Sequence, residues 1–518
     1  PWDLTIPAGA RLVVEGGTEI AFAPEDLART GRHAELTEWI VEGELVIDGL
    51  GSEVSLDVDS RQSEDLWYGI RLEPDGYLEL VGASIGAAGF GVQGTVTPEG
   101  QVRIADSRFA GLVNGLNLTL FGSAQVDGST FTSISGPAIK ASGSATLNLR
   151  NTTIEDGGQE GIWMSNANLE AIHATVTRNG LLDAEDPRSG IFAEGGAGQR
   201  LEIWDSAIES NRALGIEATN WGGIIELHRT SVSSNRADGV RSRRAERVIF
   251  EDIELSRNFG RGAELSSTTV EMWTTTATDN VAGGAWMGDG ARVAVDMSHF
   301  TGNGLVLSET ALATVRNSEF RSTGVALSVI SAAPQIVGNL FQANTTAIRV
   351  DGSAVPSSIL DNTFTRNATA IENRTDQTLS ARGNYWGTVD SAAIADLMSG
   401  PVDFSGFLAG EPVATASEEG LEPPVRTALL GNGPNPFNGS TLIRFVLATE
   451  ESVELSIYDI TGQRILHRLA GVYLKSGLHE IAWNGTDETG LNVANGVYLY
   501  HLTTPAGRIG VGRMVLLR

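Results

Sequence analysis

Apolar residues recur through the middle of the chain at a spacing far longer than a helical repeat. One such position gives Phe109, Phe131, Ile154, Val176, Ile208, Val232, Leu255, Ala277, Phe300, Phe320, Phe341, Phe364 and Trp386, in steps near 22 residues with one long step after Val176. Each unit reads apolar-x-apolar, a small polar corner, an apolar residue, often x-x-Asn, then Gly and a second apolar pair, as in "LEIWDSAIESNRALGIEA" from Leu201. The segments between corners alternate over a few residues only, which suits short half-buried strands and is too brief for helices. A period of this length held over a dozen steps marks a solenoid. The pattern predicts an all-β chain, a right-handed parallel β-helix with three short strands and about 22 residues per coil. With neighbouring strands ~4.8 Å apart, the steps from Phe109 to Trp386 stack to roughly 58 Å, so this part is expected to be a rod.

The polar corners have their own regularity. Asn179, Asn211, Asn235, Asn258, Asn280, Asn303, Asn344 and Asn367 share one register. Asn tolerates left-handed backbone and its amide can bond to an Asn one rung away, so these residues are expected to turn the chain and form a ladder. Glycines at 161, 190, 215, 239, 262, 284, 304 and 324 are expected to supply the next corner. The long step holds "NGLLDAEDPRSG", an acidic loop leaving one corner, read either as a functional loop or as a tolerated insertion.

Residues 1–100 are strand-rich but keep the repeat less clearly, and read as opening coils and a cap; 101–407 are the β-helix with its closing cap. "LAGEPVATASEEGLEPPVRT" changes composition and makes 408–427 a linker. The remainder, 428–518, has no 22-residue period. It alternates as a small antiparallel Ig-like sandwich, in "TLIRFVL", "VELSIYDI", "HEIAWNG" and "GVYLYHLTT", with turns at Thr461-Gly462, Asn484-Gly485 and Asn495-Gly496.

Two resemblances follow from quoted motifs. Gly17 to Phe22 ("GTEIAF"), Val41 to Leu45 ("VEGEL") and Trp67 to Ile70 ("WYGI") resemble the opening coils of β-helical bacterial surface proteins, and Asn384 to Gly387 ("NYWG") resembles their closing element. A helix over Ser391 to Met398, stopped by Gly400 and Pro401, is expected to cap the solenoid, because open strand edges need cover. "NPFNGSTLIRFVL" from Asn435, "IYDITGQRI" from Ile457, "WNGTDETGLNVANGVYLYHL" from Trp483 and "RMVLLR" from Arg513 are similar to the Ig-like domain shared by type IX secretion sorting domains and the flagellar hook-capping protein. Gly439 stands where that family usually has Pro. The resemblance implies export to the cell surface or medium, with this domain engaging the export machinery.

Composition narrows the chemistry. Of 518 residues 41% are hydrophobic and 19% charged, which supports a folded chain of more than one domain. A formal charge of −28 disfavours nucleic acid as a partner. The cluster Arg241, Arg243, Arg244 and Arg247 is read as a patch that offsets Glu. The absence of cysteine excludes disulfides, thiolate metal sites and Cys nucleophiles. No apolar run approaches the ~20 residues that span a bilayer. A start at Pro1 reads as a mature form whose leader has been removed.

The candidate site lies on outward strand positions. Glu170, Glu202, Glu226 and Glu271 recur beside one buried position, and Trp204, His228 and Trp273 recur two residues later, so both sets are expected to project outward as stripes. Trp163 and Trp286 follow another corner and extend an aromatic patch. Trp163, Trp204, His228, Trp273 and Trp286 are therefore candidate contacts to glycan or to a second subunit. Stacked carboxylates repel unless a cation intervenes, which makes Glu202, Glu226 and Glu271 candidate calcium ligands; the plain alternative is a solvated acidic face. Pectinolytic β-helix enzymes offer the competing reading, a polysaccharide lyase or glycoside hydrolase, but their Asn-Thr-Asp, Asp-Asp, Gly-His-Gly and Arg-x-Lys signatures are missing, and Lys140 and Lys475 are the only lysines. The expectation is an exported, non-catalytic extracellular or surface protein that binds extracellular polysaccharide or assembles with copies of itself.

Overall fold

Short alternating strands bury one face each and cannot hold together singly, so they stack. The computed structural model describes residues 3–23, 31–33, 35–58, 66–182, 188–412, 427–433, 437–505 and 507–517. The chain divides into two units, Pro1–Pro412 and Val413–Arg518.

In the first unit three strands make each coil, and each strand pairs in parallel with its equivalents one coil before and after. The coil Ile216–Trp221, Ile224–His228 and Ser231–Ser233 is representative. Its strands belong to three sheets of 17, 15 and 15 strands, here the first, second and third sheets. The aligned apolar series lies in register inside the third sheet: Phe109 opposes Phe131, Val176 opposes Ile208, and Phe341 opposes Phe364. Towards the C-terminal end these side chains form a continuous stack. Phe300, Phe320, Phe341, Phe364 and Trp386 follow one another at centroid spacings of 4.9, 5.0, 5.0 and 4.5 Å. The aligned position therefore contributes apolar burial and ring stacking together.

The Asn ladder exists, but its backbone conformation differs from expectation. The left-handed residue is the one before each Asn: Arg178, Ser210, Ser234, Arg257, Asp279, Gly302, Ala343 and Arg366 all have φ between 53° and 69°. The Asn side chain turns inward instead. Asn235 Nδ2 donates to the Ile208 carbonyl at 3.1 Å and to Asn258 Oδ1 at 3.0 Å, and Asn235 Oδ1 accepts from Asn211 Nδ2 at 3.0 Å. The glycines of the next register, Gly324 excepted, are also needed for a different reason. A Cβ at Gly239 would fall 2.6 Å from the Gly262 carbonyl oxygen and 2.9 Å from Asn258 Nδ2, so the bare Cα is what lets successive rungs close over the ladder.

A second ladder runs through the corner between the second and third sheets. Ser298 accepts from the Thr275 N–H, Ser318 from Ser298, Asn339 from Ser318, Asn362 from Asn339 and Asn384 from Asn362. The first coils begin earlier than the regular repeat: Leu4–Ile6 pairs with Glu38–Val41, and Ile20, Leu56, Ile85 and Phe109 stack in register across longer intervals. At the other end Trp386 is buried and the helix is shorter than expected, Ser391–Ala395, with Asp390 capping its N-terminus. Met398–Ser399 pairs in parallel with the strand Thr369–Asn373, so Met398, expected to end the helix, opens a further rung instead.

The second unit has a three-stranded sheet of Ala428–Gly433, Thr441–Leu447 and Gly477–Trp483, and a four-stranded sheet of Arg464–Leu474, Glu451–Asp459, Gly496–Thr504 and Gly507–Leu516. All their pairings are antiparallel, and Phe445, Ile457, Trp483, Tyr500 and Met514 are buried in its core. "DITGQ" and "DETGL" close two turns alike: Asp459 Oδ1 accepts from Thr461 and the Gln463 N–H, and Asp487 Oδ1 from Thr489 and the Leu491 N–H. The threonine hydroxyl bond is the main reason both carboxyls sit below the usual range. Residues 413–426 of the expected linker, 183–187 of the acidic loop, and Asn435-Pro436 of the sorting-domain motif lie outside the described residues.

Candidate functional site

Strand alternation places every second residue of each coil outside the solenoid, and the first sheet carries a row of unusual composition there. Lys140 opposes Trp163, Trp163 opposes Phe192, then come Glu217, Arg241, Glu264 and Trp286, one per coil on successive strands. All seven are half-buried, so they are accessible yet held. From Trp163 to Trp286 the row spans five intervals, roughly 24 Å along the solenoid axis at strand spacing.

At one end the Lys140 ammonium lies 4.1 Å from the Trp163 ring centroid, and Phe192 meets Trp163 edge to face at 5.8 Å. At the other end Trp286 reaches along its own strand. A Cβ added to Gly288 would fall 2.2 Å from Trp286 Cη2 and 2.4 Å from Cζ2, so the far edge of the indole covers Gly288 and the ring lies down on the sheet. Gly288 shares the outer face with Trp286 because it is two residues on, and its missing side chain is what makes the space.

Between the aromatic ends the charges are set against one another. Arg241 Nη2 bonds Asp238 Oδ2 at 2.6 Å, while Glu264 accepts from Arg243 at 3.3 Å and Arg261 at 2.5 Å. The Arg261 guanidinium also sits 5.7 Å from the Trp286 ring. Glu217 takes hydrogen bonds from the Ser189 hydroxyl at 2.8 Å and the Thr219 hydroxyl at 3.2 Å. This arrangement presents a flat aromatic surface and fixed polar groups along a line, which is what an extended chain carrying hydroxyls can use.

The predicted second-sheet stripes are only partly assembled. Trp204 is half-buried and stacks on His228 at 3.7 Å with 9° between the planes. His228 is itself buried, with Nδ1 2.9 Å from Glu251 Oε2 on the next rung and Nε2 3.6 Å from Glu226. Trp273 and Glu271 are 1% and 0% exposed, so pointing outward from the strand does not make them reachable. Nor are the stripes continuous: Glu251 intervenes between His228 and Trp273, and Ile249 between Glu226 and Glu271.

The glutamates read as calcium ligands have guanidinium partners. Arg200 bonds Glu202 and, at 2.9 Å, Glu226, and Arg150 lies 3.5 Å from Glu170. Burial opposes the charge on Arg200, but its bonds to these two glutamates outweigh that and raise its pKa. A guanidinium therefore relieves the carboxylate repulsion, and Glu271 has Arg247 at 3.4 Å. Among the described residues no group of three or more His, Cys, Asp or Glu could hold a metal ion.

Trp163 and Trp286 were legible as an aromatic pair, whereas Phe192, Glu217 and Glu264 were missed. The signal was the residue after the first inner apolar position in "IKA", "IWM", "IFA", "IEA", "VRS", "AEL" and "AWM". Read down the repeats, that column contains the whole row.

The right-handed beta helix region model matches residues 114–272, 173–320 and 225–385, which together cover more than half of the chain. Residues 434–507 match the FlgD Ig-like domain. No curated protein matches the chain. Similar solved structures include the dimeric latent PorU of Porphyromonas gingivalis, 22% identical over 21% of this chain, with a TM-score of 0.16. The chain spans only 10% of the PorU chain. Pectate lyase Pel9A is 12% identical, with 78% of this chain and 83% of that one covered and a TM-score of 0.23. Tailspike protein 2 of bacteriophage CBA120 is 9% identical, covering 92% and 71%, with a TM-score of 0.22.

Proposed function

The chain belongs to the right-handed β-helix family, and on that architecture we propose that it is a non-catalytic adhesin that binds an extended polysaccharide along the outer row of its first sheet. One observation carries the reading: Trp286 lies down over Gly288 at one end of a row whose other end is Trp163 with Phe192. A flattened indole offers its face to the apolar side of a sugar ring, and the polar groups between the two ends suit hydroxyls. Glycan adhesion is favoured over self-association because the aromatic residues are separated by ions and form no contiguous apolar patch of the kind subunit interfaces use. Binding is favoured over cleavage because Glu264 and Asp238 are each paired with a guanidinium.

Affinity electrophoresis against a panel of soluble polysaccharides tests this. Trp286→Ala is expected to weaken retention roughly tenfold, equivalent to ~1.4 kcal/mol. Gly288→Ala is expected to do the same, because the new methyl lifts the indole off the sheet, while the unfolding midpoint stays near that of the parent. Equal retention of parent and both variants, or retention by no polysaccharide, would sink the reading.

The C-terminal unit supports export and display at the cell surface in this picture. Its match to the FlgD Ig-like domain and the ordered blocks at Asn435, Ile457, Trp483 and Arg513 are the support. Fractionation of the native host should find the full chain at the surface or in the medium, and recovery from the cytoplasm alone would overturn this part.

A further inference from the structure

Resting on the glycan reading above, we infer that the row selects an uncharged, hydroxyl-rich polysaccharide and rejects polyuronates. Recognition of a uronate needs a cation whose charge is not already spent on the protein. The guanidiniums of the row do not meet that need: Arg241 is bonded to Asp238, and Arg243 and Arg261 to Glu264. Lys140 has no carboxylate partner among the described residues, and its ammonium is placed over the Trp163 ring.

Against this one ammonium stand two carboxylates without a cation. Glu217 is oriented by the Ser189 and Thr219 hydroxyls and has no ion-pair partner among the described residues. Glu194, half-buried on the neighbouring strand Ile191–Gly195, likewise has none there. A polyuronate lying along the row would bring its own carboxylates against these two, within a chain whose formal charge is −28. A neutral chain meets the same groups as acceptors: sugar hydroxyls donate to Glu217 and Glu194, and ring C–H faces rest on Trp286.

The test is titration calorimetry of the full chain with soluble neutral polymers (a β-glucan, a galactan and a mannan) and with polygalacturonate and alginate, at about 50 and about 500 mM salt. At least one neutral polymer should bind at least roughly tenfold more tightly than either polyuronate, with affinity little changed by salt. The double variant Glu194→Gln, Glu217→Gln should narrow that gap several-fold by improving polyuronate binding. Polyuronate binding equal to or tighter than neutral binding would overturn the selectivity while leaving a glycan adhesin standing. A gap unchanged in the double variant would overturn the role given to these two carboxylates. Failure to bind any polymer would remove the adhesin reading and the selectivity together.

Discussion

Replacing Phe341 by Ala is expected to cost about 3–5 kcal/mol, read as a lower urea midpoint with little change in slope. Phe341 is fully buried, with ring neighbours at 5.0 Å on both sides, Phe320 and Phe364. Deletion of a core ring is worst where the surroundings cannot collapse. Here they cannot, because the rungs above and below are held at fixed spacing by parallel hydrogen bonding in all three sheets. A loss below about 1 kcal/mol would mean that the rungs do close in, and that the stack is not what spaces the C-terminal coils.

Asn235→Leu is the second large effect, and it separates hydrogen bonding from volume. The substitution is close in size but leaves the Asn211 N–H and the Asn211 amide without the Oδ1 they donate to, at 3.1 and 3.0 Å. Each buried donor left unmade costs about 1–3 kcal/mol, so the variant should lose about 3 kcal/mol or more. The exposed neighbour provides the control: Arg236→Ala should stay within about 0.5 kcal/mol of the parent. If Asn235→Leu proves as mild as Arg236→Ala in the same denaturation series, the ladder is an ornament of the corner and does not stabilise it.

These two residues also show what the sequence could reveal. Phe341 was legible because the core of a narrow solenoid constrains the same position in every coil, and repetition amplifies a weak local signal. Asn235 was legible as a corner residue, but its backbone was misassigned. The left-handed turn falls on half-buried Ser234, while the Asn amide is drawn inward by its partners. The Ser318–Asn339–Asn362 ladder escaped notice because serine and asparagine share the duty, so no single residue type recurs.

The outer row was the hardest to read. Outward residues are free of core constraints, so they carry no period, and only the tryptophans stood out. Trp273 and His228 misled for the opposite reason: alternation correctly set their direction, but burial depends on neighbours such as Glu251 and Trp204 that lie a full coil away in sequence. The partner of the glutamate stripe also went unread: Arg200, two residues before Glu202, reaches both Glu202 and Glu226.

The two amide ladders do not break at the same height. The first stops at Asn303, whose Nδ2 turns back to the Asn280 carbonyl, and resumes where the Thr323 N–H meets Asn344 Oδ1. The second passes that level without interruption, from Ser298 through Ser318 to Asn339. The corners are thus lapped like staggered joints in masonry. At the height where the first seam is open the second is closed, so a pull along the coil axis there would still meet an unbroken run of side-chain hydrogen bonds.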